Sequence, residues 1–237
     1  MRKAILAAMT AVLASVATPA LAADELVTTR TGNVPYILTT QSPASPRYAV
    51  ILMPGGQGIL NPRIESGKLV FAFGGNFLIR SRGLFADPRF VAASTDATTS
   101  PDRILAIVQD LQARYGPQLQ VYVVGTSRST DSTRALSGPL DGKVAGFVHT
   151  SSMNAISGLS TRGAKSRHLI VWHRSDPCRA TKPSASAAMA SSNGIDWVEM
   201  TGGTSVGEDC EARSHHGYNG IERETVDRIK AWIAKGG

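Results

Sequence analysis

Two hydrophobic periods alternate along this chain. Short, nearly unbroken apolar runs recur at residues 48–53, 90–94, 119–124, 144–148, 168–172 and 195–200. Runs of that length, rich in β-branched residues, predict strands covered on both faces. Between them the spacing turns helical. Ile104, Leu105, Val108 and Leu111 form a stripe behind Pro101-Asp102, and Tyr115-Gly116-Pro117 ends it. Phe77, Leu78 and Phe85 predict a helix over 76–85 with Asn76 as its cap, after the break at Gly74-Gly75. A small-residue segment runs from Ser127 to Gly138-Pro139. Residues 182–192 read as a helix poor in large side chains, lying thinly on the surface. Ile221, Val226, Ile229, Trp232 and Ile233 supply the buried face of a closing helix. Near the N-terminus, runs at 26–31 and 34–39 flank Gly32-Asn33 and read as a hairpin, followed by a linker turn over 41–46. Residues 69–73 are apolar but of undecided type. The alternation predicts an α/β domain: a mostly parallel sheet with helices on both faces and ligands beyond the carboxyl ends of its strands.

The first 22 residues stand outside that pattern. Met1-Arg2-Lys3 is basic, residues 4–16 are apolar, and Ala20-Leu-Ala22 supplies a small-residue cleavage site. This predicts a signal peptide cut after Ala22, a single domain over 23–237, and a periplasmic or secreted protein. The apolar run is short of the ~20 residues a span needs, so no stable membrane insertion is expected. Both cysteines, Cys178 and Cys210, follow the cleavage site, and an oxidising compartment predicts one disulfide between them. The formal charge is +7, from 25 Lys+Arg against 18 Asp+Glu. That excess is scattered, with no basic block interleaved with aromatics, so nucleic acid is not an expected partner. The pattern does not speak to oligomeric state.

The chemistry gathers at the strand ends. The run 119–124 ends at Gly125, and Ser127 follows before the small-residue helix: a strand, a sharp turn, a helix. A serine there has its hydroxyl raised above the sheet, with the helix's amides aimed at the same spot. Capping alone would be the plainer role for these hydroxyls. The string resembles the nucleophile elbow of α/β hydrolases, Gly-x-Ser-x-Gly, with Ser129 in place of the last glycine. Earlier, the strand at 48–53 runs into Pro54-Gly55-Gly56-Gln57-Gly58. This is neither a phosphate loop nor a dinucleotide fingerprint, since no Gly-Lys-Ser/Thr follows and no Gly-x-Gly-x-x-Gly opens a helix. It resembles the loop that donates an oxyanion amide in esterases, from Gly56 or Gln57, with the second amide from Arg128.

A serine hydroxyl needs a histidine to take its proton and a carboxylate to hold that histidine. Asp176, after the strand at 168–172, and the pair His215-His216, in a late loop, supply the order serine, acid, histidine. Asp96 also follows a strand but precedes the serine. Chain order does not separate His215 from His216. Gly217 favours His216, because a glycine beside the base permits a tight turn. Of the others, His149 reads as structural or pocket-lining, His168 as an exposed strand start, and His173 as a support for Asp176. No spacing fits a zinc site, and no metal or cofactor is expected.

Gly74-Gly-Asn-Phe-Leu-Ile-Arg-Ser-Arg82, Gly125-Thr-Ser-Arg-Ser129, Asp176-Pro-Cys178 and Cys210-Glu-Ala together with His216-Gly-Tyr-x-Gly-Ile-Glu222 resemble a family of small exported α/β hydrolases. The resemblance implies an α/β-hydrolase fold with minimal or no cap. It implies a serine hydrolase with Ser127 as nucleophile, Asp176 as acid and His216 as base, cleaving a small ester, thioester or amide through an acyl-enzyme. A second function class stays open: a catalytically inactive periplasmic binding or scaffold protein of the same fold. Ser129 and the lack of a substrate-specific motif favour that alternative, and retention of the three triad residue types favours the enzyme.

Overall fold

The computed structural model describes residues 21–42 and 45–236. The expected leader up to residue 20 and two residues of the expected linker turn lie outside the described residues. One eight-stranded sheet organises the rest. In chain order its strands are β1 (Ala23–Thr28), β2 (Pro35–Thr40), β3 (Tyr48–Met53), β6 (Phe90–Ser94), β7 (Gln120–Thr126), β8 (Gly146–Thr150), β9 (Arg167–His173) and β10 (Asp196–Met200). Across the sheet the order is β1-β2-β6-β3-β7-β8-β9-β10. The β1–β2 hairpin and the β2–β6 pair are antiparallel, and every other pairing is parallel. A separate two-stranded arm, β4 (Arg63–Glu65) and β5 (Lys68–Val70), stands beyond the end of β3.

The apolar runs are continuous because both faces are covered. On β3 and β7, Ala49, Ile51, Met53, Val121 and Val123 pack against α3 (Pro101–Tyr115) and α4 (Ser129–Ser137). The alternate residues Val50, Leu52, Tyr122 and Val124 pack with α1 (Phe77–Arg80), α2 (Arg82–Phe85) and α6 (Glu222–Lys235) on the other face. Full burial of each such side chain is worth ~1.5–3 kcal/mol over leaving it exposed. The expected single helix over 76–85 is thus two short ones meeting at Ser81. Asn76 caps the first, its Oδ1 accepting from Leu78 N at 3.1 Å. The thin helix, α5 (Pro183–Asn193), buries only Ser186, Met189 and Ala190, the last two against β9.

His168 corrects an expectation of exposure, being only 7 % exposed. It heads a strand flanked on both sides, and it stacks on Phe147 and on the wholly buried His149. His149 Nδ1 lies 2.8 Å from Thr133 Oγ1, and its Nε2 lies 3.2 Å from His168 Nδ1. Burial lowers His149 well below the ordinary histidine value and His168 from 6.5 to about 4. An unfolded chain with ordinary histidines therefore takes up protons first as the pH falls. Stability is full above ~6.5 and drains toward pH 4 at ~1.4 kcal/mol per pH unit for each histidine. Urea midpoints across this window should follow that slope, and His168→Gln should reduce it to the share of His149 alone. A wild-type profile flat over the window would contradict the assignment.

Candidate active site

The turn from β7 into α4 is built by three residues. Ser127 takes a left-handed backbone, φ 53°, a conformation that costs a non-glycine residue roughly 1 kcal/mol or more. Its amide donates to Thr150 O at 3.0 Å, and its carbonyl accepts from Thr130 N and Oγ1. Gly125 permits the close crossing of helix and strand, since a Cβ there would lie 2.6 Å from Ser129 O and 2.8 Å from Thr133 Cγ2. Ser129, where the resemblance has glycine, is buried without obstruction. Its Oγ accepts from Thr126 N at 2.7 Å and lies 2.8 Å from Met53 O and 2.9 Å from Thr126 O as acceptors. The hydroxyl thereby bonds the turn to the end of β3, where the glycine-rich loop begins.

Asp176 and His216 meet although 40 residues separate them. Asp176 is buried in the turn after β9, its Oδ1 accepting from Cys178 N at 2.9 Å. Its Oδ2 accepts from Thr181 Oγ1 and lies 3.0 Å from His216 Nδ1. Thr181 Oγ1 lies 3.0 Å from the same ring nitrogen. With the threonine hydroxyl directed at the carboxylate, Nδ1 faces two acceptors and carries the ring proton, which leaves the Nε2 lone pair free. The disulfide Cys178–Cys210 joins the loop of Asp176 to the loop of His216.

His216 itself lies in a short 3-10 turn, His215–Gly217. Ser214 Oγ accepts from its amide at 3.1 Å, and Ser151 Oγ donates to its carbonyl at 2.7 Å. Gly217 acts differently from the expected turn-former. A Cβ there would collide with the Ala212 carbonyl, and the left-handed residue is Tyr218, φ 56°. The buried Tyr218 hydroxyl accepts from Ser151 N and donates to Val171 O, both at 3.0 Å. Burial pushes this phenol well above its ordinary range, so it stays a donor.

Ser127 and His216 line one cavity of about 240 Å³, with Gly55, Gly56, Phe73, Asn76, Phe77 and Cys210 around them. Gly56 borders it and Gln57 does not. Among the described residues the amides of Gly56 and Arg128 have no protein acceptor. Phe73, 40 % exposed, holds a left-handed backbone at the rim, φ 53°. Arg80 braces this wall: its guanidinium donates to Gly75 O, Gly217 O and Glu222 Oε1. A larger open groove of about 840 Å³ lies along α2 and the start of α6, but none of Ser127, Asp176 and His216 lines it.

The remaining candidates fall elsewhere. Asp96 Oδ1 accepts from the amides of Leu60 and Asn61, which holds the loop after β3. His215 stacks on His173, ring centroids 4.3 Å apart. His173 donates from Nε2 to Gly202 O and accepts at Nδ1 from Ser175 N, bracing the turn that carries Asp176. Thr181 escaped the sequence reading, because only the fold brings it to His216. No helix among the described residues is long and apolar enough to cross a membrane.

No family model matches the chain, and no curated protein is similar to it in sequence. Solved structures are similar in fold. A serine hydrolase without a lid from Xanthomonas campestris superposes with a TM-score of 0.56 at 11 % identity, covering 90 % of this chain and 96 % of its own. An α-β serine hydrolase homologue from Coxiella burnetii gives 0.59 at 15 %, covering 87 % and 96 %. Est1E from Butyrivibrio proteoclasticus gives 0.57 at 12 %, covering 89 % and 98 %. The chain has the α/β-hydrolase fold, with a mostly parallel sheet and helices on both faces.

Proposed function

We propose that this chain is a serine hydrolase that cleaves a carboxylic ester of a small substrate, or a thioester or amide, through an acyl-enzyme. The observation that carries the reading is one cavity bordered by Ser127 on its left-handed turn and by His216, whose Nδ1 is held at 3.0 Å from Asp176 Oδ2. In this reading His216 Nε2 takes the Ser127 proton as Oγ bonds to the substrate carbonyl carbon, and it returns that proton to the leaving group. Water then repeats the cycle and releases the acid. Asp176 and Thr181 fix the tautomer that leaves Nε2 able to accept. The amides of Arg128 and Gly56 hold the oxyanion, Gly56 being favoured over Gln57 because it borders the cavity.

The cavity's volume and its walls of Phe73 and Phe77 favour a short acyl group. The fold neighbours include proteins described as serine hydrolases and as an esterase, which agrees with this reading. Ser129 is one of the two features that favour an inactive binding protein. Its side chain supports the turn through hydrogen bonds instead of blocking it, which weakens that argument. The test is labelling by an active-site-directed fluorophosphonate. Wild type should be labelled on Ser127 and Ser127→Ala should not. A stable adduct on another residue, or none at all, would end the proposal. Export to an oxidising compartment belongs to the same proposal, supported by the expected leader and by the disulfide Cys178–Cys210.

A further inference from the structure

Asn76 has half of its side-chain amide accounted for. Its Oδ1 accepts from Leu78 N, which identifies the other atom as Nδ2, a donor of two hydrogens. Nδ2 has no acceptor among the described residues. Asn76 is half-buried in the wall of the cavity. An ideal Cβ on Gly55 would stand 3.5 Å from Asn76 Nδ2 and 3.0 Å from Ser127 Cβ, so the amide and the serine converge on one patch of space. Both also line the same cavity.

The residue is held there on its main chain. Asn76 N donates to Phe73 O at 2.8 Å, and Asn76 O accepts from Arg80 N at 2.9 Å. The next residue back, Gly75, has its carbonyl bonded to the Arg80 guanidinium at 2.7 Å. A cap needs only the oxygen of this side chain. The nitrogen is a neutral donor beside the cavity that Ser127 also lines, left for a ligand to satisfy.

The geometry points to Asn76 Nδ2 as a catalytic donor that touches the substrate carbonyl oxygen beside the main-chain amides. The inference rests on the hydrolase reading above. When Ser127 attacks, its O–H bond breaks and the proton passes to His216 Nε2. The new Oγ–C bond forms while the carbonyl π pair moves onto oxygen. Asn76 gains and loses no proton; its hydrogen bond strengthens as that oxygen becomes negative. A donor placed for developing charge lowers the barrier without tightening ground-state binding to the same degree.

Asn76→Ser and Asn76→Asp test this, because both remain good helix caps and both lack the amide nitrogen. On a short aryl ester each should lower kcat by ~10²-fold or more. KM should move little, and thermal stability should stay at the wild-type level. Asn76→Ala, which loses cap and donor together, should lose stability as well. Full kcat in Asn76→Ser would make the residue a cap only and overturn the inference. A loss in Asn76→Asp without one in Asn76→Ser would also overturn it, since added charge alone would explain the result. A wild type neither active nor labelled on Ser127 would remove the hydrolase reading and this inference together. An active, labelled wild type with an active Asn76→Ser would remove this inference alone.

Discussion

Alanine at His216 should lower kcat/KM on a short aryl ester by ~10³-fold or more, and Asp176→Asn should do the same. That loss is ~4 kcal/mol of transition-state stabilisation. The two substitutions act by different routes. His216→Ala removes the ring whose Nδ1 is held by Asp176. Asp176→Asn keeps the shape but changes the proton inventory. Cys178 N already donates to Oδ1 at 2.9 Å, so an asparagine oxygen is drawn to that site. Its NH₂ would then face His216 Nδ1 and favour the tautomer with the proton on Nε2, which cannot take one from Ser127. His215→Ala and Asp96→Asn should stay within about tenfold, since one stacks on His173 and the other holds loop amides. A dead His215→Ala beside a nearly wild-type His216→Ala would shift the base by one residue.

Loss of the Cys178–Cys210 bond carries the second large effect. The cross-link spans a sequence separation of 32. Chain-entropy arithmetic for a loop of that size gives ~3–4 kcal/mol, an upper value because native strain subtracts from it. Urea unfolding of Cys178→Ser/Cys210→Ser should show a loss of that order. The activity should fall too, because the Cys178 amide bonds the acid and Cys210 borders the cavity. Expressed with its expected leader, the protein should be recovered from the periplasm or medium beginning at Ala23, and it should weigh two hydrogens less than its reduced form. Two free thiols, or a double variant as stable and active as wild type, would refute this.

The sequence discloses those parts of the fold that rest on local periodicity. The strands at 48–53 and 90–94 lie where their apolar runs predict, because both faces of each strand are buried. The strand expected at 144–148 lies two residues later, Gly146–Thr150. Its last residues, His149 and Thr150, are polar yet buried, paired across the sheet with Gly125 and Thr126. Nothing local announces that burial. The run at 69–73 is hard to type because β5 belongs to a short, largely exposed arm, and only Leu69 and Phe71 of the run pack, partly buried, against Ile37, Leu60 and Ile79. The site follows the same division. Ser127 was legible from a turn and His216 from the glycine after it. Thr181 and the free half of Asn76 become visible only when distant loops close on the serine. The true reason for Gly217 was equally hidden, because the colliding carbonyl belongs to Ala212.

The cross-linked loops have a mechanical consequence. On one side of the cavity the Ser129 hydroxyl bonds the serine turn to the end of β3, so Ser127 and the glycine-rich loop shift as one body. On the other side the disulfide, with Thr181, makes Asp176 and His216 a second body. The two meet at the end of β8, where the Thr150 carbonyl accepts from Ser127 N and the next residue, Ser151, donates from Oγ to the His216 carbonyl. Acid and base are thus fixed to each other by the cross-link, and to the serine turn by one strand end.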